Sequence, residues 1–191
     1  MKKRKIAIFA SGSGTNAQRI IEHFTGHPSI TVSMILSNRK DAYVLVRAEQ
    51  FNIPAVVFDR QTFYESDEVL RILQENEIDF IALAGFLWLI PVYLIRAYPR
   101  KIINIHPALL PKYGGKGMYG MYVHQAVLDS GDKESGISIH YVNEEYDEGA
   151  IIFQAKCEVL PDDSPESLAQ RIHQLEYKHY PEVIEKLVEE L

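Results

Sequence analysis

Two polar side chains, Asn104 and His106, interrupt the otherwise apolar segment 102–106. In an extended strand they point to one side, and Ile103 and Ile105 point to the other. An amide N–H can donate to a developing negative charge and an imidazole can carry protons, so the pair is suited to acyl transfer through an oxyanion. Either residue alone is equally well explained as a hydrogen-bonded core group, but we expect the pair at a strand end to be functional.

A second polar region follows the apolar run 136–142 and consists of Asn143, Glu144, Glu145, Tyr146, Asp147, Glu148 and Gly149. Carboxylates in a short loop are normally solvated, which is the simplest interpretation of most of them. One of them could turn inward to a histidine, where it would favour the charged form of the imidazole. The spacing alone does not select which carboxylate does so.

A glycine-rich segment, Ser-Gly-Ser-Gly-Thr-Asn at residues 11–16, follows the first apolar run. Glycines let backbone N–H groups approach an anion, and a helix N-terminus adds free donors, so the segment predicts a phosphate site. Residues 12–17 also fit a loose dinucleotide fingerprint, but the second strand ends at Ser37-Asn38-Arg39, without the acid that binds a ribose. Arg39 keeps an NADP-dependent oxidoreductase open, and a tight turn without a ligand is the structural alternative.

The alternation of apolar runs with helix-like stretches predicts the elements that position these groups. Runs at 6–10, 30–36, 55–58, 79–84 and 101–105 are typical of buried parallel strands, and 16–24, 42–51 and 91–97 have helical character. A capping box at 62–65 predicts the start of another helix. This order predicts an α/β fold with an open, mostly parallel twisted sheet and helices on both faces, whose ligands bind at the carboxyl ends of the strands.

The pattern changes after His106. Residues 109–121 contain four glycines and predict a long loop, and 123–128 predict a short helix. The runs 136–142 and 150–159 have no helix between them and predict an antiparallel addition to the sheet. Ser164 and Pro165 suit the start of a C-terminal helix, which we expect to be kinked or broken at Pro181.

Length and composition restrict the class of protein. The 191 residues suit a single domain spanning 1–191, and 47% hydrophobic residues supply a core. A formal net charge of −6 argues against nucleic-acid binding, although backbone amides can still hold a small anion. The single cysteine, Cys157, excludes an internal disulfide. With no targeting or membrane-spanning stretch visible, we expect a cytoplasmic protein that binds small molecules and no membrane; the oligomeric state is not predicted.

Together these motifs resemble the phosphoribosylglycinamide formyltransferase family of folate-dependent enzymes, which has a Rossmann-like formyltransferase fold. The resemblance covers nearly the whole chain and rests on residues 11–16, 83–86, 104–113, 140–142 and 147–149 and on Glu176 ahead of Tyr180-Pro181. Segment 104–113 with Asp147 is specific for folate-dependent formyl transfer. The glycine loop indicates the glycinamide ribotide branch.

The resemblance implies transfer of the formyl group of 10-formyltetrahydrofolate, a co-substrate, to the amine of 5-phosphoribosylglycinamide in purine biosynthesis, without a metal. It implies catalytic roles for Asn104 as oxyanion donor, His106 as proton carrier and Asp147 as the group that keeps His106 charged. Trp88 stands where the family often has arginine. By position, the resemblance implies that the ribotide is bound by Gly14, Thr15, Asn16 and Glu176. It implies that the folate is bound by Leu87, Trp88, Leu89, Ile90, Asn143, Glu144, Glu145 and Tyr146.

Other functions stay open as alternatives. Methionyl-tRNA formyltransferase has an extra C-terminal domain, formyltetrahydrofolate hydrolase has an N-terminal regulatory domain, and neither has this glycine loop, which favours the ribotide enzyme. A hydrolase-like enzyme, an NADP-dependent oxidoreductase and a phosphosugar-binding module without turnover are the alternatives to be tested.

Overall fold

The computed structural model describes residues 2–191, which build a seven-stranded sheet. The strands are β1 (Arg4–Phe9), β2 (Ile30–Ser37), β3 (Ala55–Val57), β4 (Phe80–Leu83), β5 (Ile102–His106), β6 (Glu134–Tyr141) and β7 (Ile151–Glu158). Their spatial order is β3-β2-β1-β4-β5-β6-β7. Strands β1 to β5 run parallel, and β6 and β7 add antiparallel strands at one edge. The predicted open, mostly parallel sheet with an antiparallel addition is confirmed.

Helices cover both faces of this sheet. They are α1 (Thr15–Phe24), α2 (Tyr43–Gln50), α3 (Arg60–Glu65), α4 (Glu68–Glu75), α5 (Val92–Ala97), α6 (Met121–Ser130) and α7 (Pro165–Glu189). Alternate side chains of β1 show the two layers, because Ile6 and Ile8 pack in the core with α1, α2, α6 and α7, whereas Ala7 and Phe9 pack with α3, α4 and α5. Within residues 2–191, no helix has the length and apolar character needed to cross a membrane.

The direction of winding reverses at β1. The chain moves outward from β1 to β2 and β3, then crosses back to β4 and β5 on the other side. The loops after β1 and β4 therefore leave in opposite directions and open a crevice at the carboxyl ends of these strands. Leu83 pairs with Phe9 on one side and with Asn104 on the other, so the ends of β1, β4 and β5 lie level at this crevice.

Two helix boundaries differ from the sequence predictions. Thr62 does not cap a helix, because Asp59 caps α3 by accepting a hydrogen bond from the Thr62 N–H, and α4 begins separately after Asp67. The predicted break at Pro181 is also wrong, since α7 continues through it to Glu189. Pro181 lies buried in the body of the helix, where tertiary packing offsets the one backbone hydrogen bond that proline removes.

Candidate active site

A cleft of about 630 Å³ opens at the carboxyl ends of β1, β4 and β5. Its walls are residues 11–16, 83–90, 104–107, 115–120 and 145–147, together with Arg39, His124, His140, Val142, His173 and Glu176. The cleft brings together the predicted catalytic residues, the predicted ribotide residues and most of the predicted folate residues. Of that set, Asn143 and Glu144 lie outside its lining.

Four polar side chains meet in the cleft: Asn104 and His106 from β5, His140 from β6, and Asp147 from the loop after β6. His140 is the register partner of Asn104. Asn104 Nδ2 lies 3.2 Å from His140 Nε2 and 3.4 Å from Asp147 Oδ1. Asp147 lies 3.5 Å from His106 Nδ1 through Oδ2 and 3.5 Å from His140 Nε2 through Oδ1. Within the acidic loop, Asp147 is thus the carboxylate that turns inward to a histidine.

Backbone contacts hold Asp147 in this position. Its Oδ2 accepts a hydrogen bond of 3.0 Å from the Gly115 N–H. Its own φ is +58°, in the left-handed region that Asp and Asn tolerate better than most side chains. Gly149 passes so close to β6 that a Cβ there would lie 1.6 Å from the Tyr141 carbonyl oxygen. The loop geometry therefore depends on the residue types at 147 and 149.

Neighbouring carbonyls determine where the two histidines carry their protons. His106 Nε2 lies 2.7 Å from the Tyr113 carbonyl oxygen, and His140 Nδ1 lies 2.8 Å from that of Tyr141. A carbonyl oxygen only accepts, so these nitrogens carry the proton of each neutral ring. His106 Nδ1 is then an unprotonated base that faces Asp147. A proton taken up there would lie beside a carboxylate.

Burial and Asp147 act in opposite directions on the pKa of His106. Burial is the strongest influence and lowers it; Asp147 and the Tyr113 carbonyl raise it, and the net pKa lies below the ordinary 6.5. Burial raises the pKa of Asp147, but its contacts with His140, His106 and Gly115 leave it below the usual 3.8. These surroundings favour a neutral imidazole beside an ionised carboxylate. That Asp147 keeps His106 charged stays a prediction: the carboxylate raises the pKa of His106, and burial acts against it more strongly.

Residues 11–16 form the turn between β1 and α1, and the turn requires glycine at position 14. Gly14 has a φ of +73°, and a Cβ there would lie 2.5 Å from Val44 Cγ2. Helix α1 begins with no side-chain cap and no acidic residue in its first turn. No side chain caps the first N–H groups of the helix, so these donors and their partial positive charge can bind an anion in the cleft.

Next to this turn, Glu176 of α7 and Asn16 of α1 form a buried pair. Glu176 is 6% exposed and accepts a hydrogen bond of 2.9 Å from Asn16 Nδ2. Burial raises the pKa of Glu176 to about 7 against the lowering effect of Asn16. Asn16 Oδ1 is buried and has no hydrogen-bond partner within residues 2–191. A free acceptor beside this carboxyl group suits a ligand that brings N–H or O–H donors.

Glu176→Gln is expected to remove a pH dependence of stability. The pKa of this carboxyl group is 4.5 in the unfolded chain, and burial raises it to about 7 in the folded protein. The wild type therefore loses roughly 3 kcal/mol of unfolding free energy as the pH rises through this interval, whereas glutamine keeps an acceptor for Asn16 and does not ionise. Urea unfolding at about pH 5 and about pH 8 measures the difference. A wild type and variant with the same pH dependence would contradict this role of burial.

Segment 85–90, which follows β4, forms another wall of the cleft. The ring of Trp88 packs into an aromatic cluster at centroid distances of 5.9–6.4 Å, and the members of this cluster are Phe58, Phe63, Tyr64 and Phe86. The Tyr64 hydroxyl donates to the Leu89 carbonyl at 2.8 Å. Leu87 is 40% exposed at the cleft. A wall of apolar side chains on a fixed backbone suits a planar aromatic ligand.

Two of the predicted folate residues, Asn143 and Glu144, lie outside the lining of the cleft. Asn143 Oδ1 accepts a hydrogen bond of 3.1 Å from the Glu145 N–H, so its side chain closes the turn and does not face the cleft. Glu144 is exposed to solvent. Glu145 and Tyr146 line the cleft as predicted.

Ser11 joins the two walls. Its hydroxyl donates to Asn38 Oδ1 at 2.7 Å and accepts from the Leu87 N–H at 3.0 Å. Its own N–H donates to the Gly85 carbonyl at 3.0 Å. Ser11 is 2% exposed, so these contacts fix the turn after β1 against the segment after β4.

Three histidines of the cleft, His124, His140 and His173, are not predicted from the sequence. His140 lies on an alternating strand, but only the β5–β6 register, which the sequence does not reveal, places it beside Asn104. His124 of α6 and His173 of α7 come from helices whose rotation is set by packing. Arg39, on which the NADP alternative rests, also lines the cleft, and its exposed guanidinium pairs with Asp41 at 3.0 Å.

The fold and the cleft define an open α/β enzyme that combines an anion-binding turn after β1 with an Asn–His–Asp cluster from β5 and the loop after β6. This arrangement is suited to acyl-group transfer. Comparison with known proteins agrees with this class. The formyl transferase family model matches residues 4–184. The chain therefore belongs to the formyl transferase family, and the protein is an enzyme of formyl transfer.

Individual relatives are similar over almost the whole chain. The chloroplastic phosphoribosylglycinamide formyltransferase of Arabidopsis thaliana is 44% identical over 195 residues, which cover 99% of this chain and 67% of the relative. The Haemophilus influenzae phosphoribosylglycinamide formyltransferase is 41% identical, covering 97% of this chain and 88% of the relative. Among solved structures, glycinamide ribonucleotide transformylase 1 from Symbiobacterium toebii has a TM-score of 0.89 at 35% identity, covering 98% of this chain and 88% of that one.

Proposed function

We propose that the domain formed by residues 1–191 transfers the formyl group of 10-formyltetrahydrofolate to the amine of 5-phosphoribosylglycinamide, a step of purine biosynthesis. The observation that carries this proposal is the joining of three features in one cleft: an uncapped helix N-terminus, the buried Asn16–Glu176 pair and the Asn104–His106–Asp147 cluster. The names of the similar proteins support the ribotide as the acceptor of the formyl group.

The ribotide would lie along the α1 side of the cleft. Its phosphate would accept hydrogen bonds from the backbone N–H groups of Gly14, Thr15 and Asn16, where the helix N-terminus favours negative charge. Asn16 Oδ1, buried without a partner, and the carboxyl group of Glu176 would accept from the ribose hydroxyls or the glycinamide N–H groups. The substrate amine would then point toward β5.

The folate would occupy the wall formed by segment 85–90. Its planar ring system suits the apolar segment that contains Leu87, Trp88, Leu89 and Ile90, with Glu145 and Tyr146 on the other side. Backbone groups of these residues would supply the hydrogen bonds that orient the ring. Asn143 and Glu144 take no part in this proposal, since neither side chain lines the cleft.

Asn104 would stabilise the charge that forms on the formyl oxygen when the amine attacks the formyl carbon. The amide of Asn104 is held by His140, whose unprotonated Nε2 accepts one N–H at 3.2 Å. The second N–H makes only a long contact of 3.4 Å with Asp147, so it can turn to an oxyanion. A donor held in place before the reaction stabilises the transition state without reorganising.

His106 would carry the proton. Its neutral Nδ1 can accept the proton that the attacking amine loses, while Nε2 stays bonded to the Tyr113 carbonyl. Asp147, 3.5 Å from Nδ1, would stabilise the imidazolium that forms. Return of the same proton to N10 of the folate would allow the bond between N10 and the formyl carbon to break as the new amide bond is completed.

The test is an assay of folate deformylation with and without the ribotide, with formate measured in parallel. Turnover that requires the ribotide and releases no formate is the expected result. Formate release without the ribotide would indicate a hydrolase. Ribotide binding without turnover would indicate a phosphosugar-binding module, and a fluorescence change of NADPH on mixing would revive the oxidoreductase alternative.

Ser11→Ala is expected to raise KM for the folate about 5- to 30-fold with little change in kcat, because the Leu87 N–H loses its acceptor and the wall that binds the ring loosens. Steady-state kinetics with each substrate varied in turn measures this effect. Ser66→Ala, an exposed serine outside the cleft, is the matched control. An unchanged folate KM in Ser11→Ala would show that the contact has no role in positioning.

A further inference from the structure

His124 is a buried histidine of the cleft that the mechanism above does not use. It is 2% exposed, lies on α6 and lines the cleft. Its Nδ1 is enclosed by protein and has no hydrogen-bond partner within residues 2–191. The other two buried histidines, His106 and His140, each have a carbonyl partner. A buried imidazole with an unpartnered ring nitrogen is unusual and distinguishes His124 from the other buried histidines.

The environment of His124 opposes a charge in the empty cleft. Burial, followed by the neighbouring His173 and His106, lowers the pKa of His124 to about 4. Because Nδ1 is enclosed, the edge of the ring that faces the cleft is the Nε2 edge. An orphaned buried N–H is more costly than an orphaned acceptor, so the neutral ring is expected to carry its proton on Nε2 and present a donor to the cleft.

The surroundings of the ring favour a negatively charged ligand. His124 is the fourth residue of α6, and side chains of a helix lean toward its N-terminus. Gly120, the residue that precedes α6, lines the cleft, and the helix has neither a side-chain cap nor an acidic residue in its first turn. Lys116 lies on the same rim. Helix α7, against which α1 and α6 both pack, adds His173 and Glu176 between them.

We propose that His124 donates a hydrogen bond to the phosphate of the ribotide from the α6 side of the cleft, and so completes the anion site formed by residues 14–16. This inference rests on the ribotide-binding function proposed above. Negative charge on the ligand raises the pKa of His124 against the effect of burial. The other groups that influence the ring are His106 on β5, His173 and Glu176 on α7, and Lys116 on the loop before α6.

The experiment compares dissociation constants of His124→Gln and wild type for two probes, glycinamide ribotide and its phosphate-free riboside. Loss of one hydrogen bond to a charged group predicts roughly 10- to 100-fold weaker binding of the ribotide. Binding of the riboside is expected to be unchanged. His23→Gln, a histidine of α1 outside the cleft that pairs with Glu185, is the matched control and should bind both probes as the wild type does.

Equal weakening of both probes would place His124 against the ribose or glycinamide and overturn the proposal, as would no weakening of either. If the wild type transfers formyl groups and His124→Gln binds the ribotide normally, this inference is wrong and the proposed function stands. A second measurement follows the imidazole of His124 in the wild type by NMR during titration with ribose 5-phosphate. The pKa of the ring is expected to rise in the complex, and an unchanged titration would count against the contact.

Discussion

Asn104→Ala is expected to lower kcat by roughly 10²- to 10³-fold, the usual effect of removing one oxyanion donor. The side chain lies at the end of β5, and one of its N–H groups is already engaged by His140 at 3.2 Å. Since the remaining N–H would bind the reacting oxygen only in the transition state, KM for both substrates should change little. Steady-state kinetics of formyl transfer measures the effect.

Asn76→Ala is the matched control for this substitution. Asn76 ends α4 and its amide donates to the Ile72 carbonyl, away from the cleft, so turnover should be normal. Asn104 is partly buried, and urea unfolding of Asn104→Ala establishes that the variant is folded. Near-normal turnover of a folded Asn104→Ala protein would remove the residue from the mechanism.

Asp147→Asn is expected to lower kcat by roughly 10²- to 10⁴-fold and to shift the acid limb of the pH–rate profile to lower pH. The carboxylate is the stronger of the two groups that raise the pKa of His106 against the effect of burial, the other being the Tyr113 carbonyl. Without it, the pKa of His106 falls further, so the neutral, proton-accepting form persists to lower pH. The rate falls nonetheless, because the imidazolium formed during the reaction loses its counter-charge.

Asparagine is the appropriate substitution at position 147 because of the backbone. The residue has a φ of +58°, which Asn adopts with little strain, and the side-chain oxygen of Asn can still accept from the Gly115 N–H. The profile of kcat/KM against pH reports the pKa values of the free enzyme. An acid limb at the wild-type position would contradict the pairing of Asp147 with His106, and Asp162→Asn, at an exposed residue, supplies the control.

The sequence predicted the parallel sheet because a strand buried on both faces must be apolar along its length. Segment 6–10 satisfied this rule, and the structure buries it completely in β1 and in the residue that follows β1. The period of two also predicted that Asn104 and His106 share a side, and both line the cleft while Ile103 and Ile105 pack in the core with α7. The sequence therefore sufficed to predict features that depend only on residues close together in the chain, such as the strands and the alternation of their side chains.

The rest depended on contacts between segments that are distant in the sequence. Asp147 is distinguished from Glu145 and Glu148 by a turn with positive φ and by the Gly115 N–H, neither of which the acidic pattern reveals. The net lowering of the pKa of His106 follows from burial, a property of the whole fold. The cap at Asp59 was missed because Thr62 and Glu65 fit the same local motif, and only the observed hydrogen bond to the Thr62 N–H decides between them.

The most direct test of the central claim follows the formyl carbon itself. The enzyme would be supplied with 10-formyltetrahydrofolate labelled with carbon-13 in the formyl group, together with glycinamide ribotide, and observed by NMR. The predicted result is transfer of the label from the folate into a formamide bonded to the ribotide, with no labelled formate. Label that appears in formate, or that stays on the folate with both substrates present, would contradict the assignment of this cleft to formyl transfer onto the ribotide.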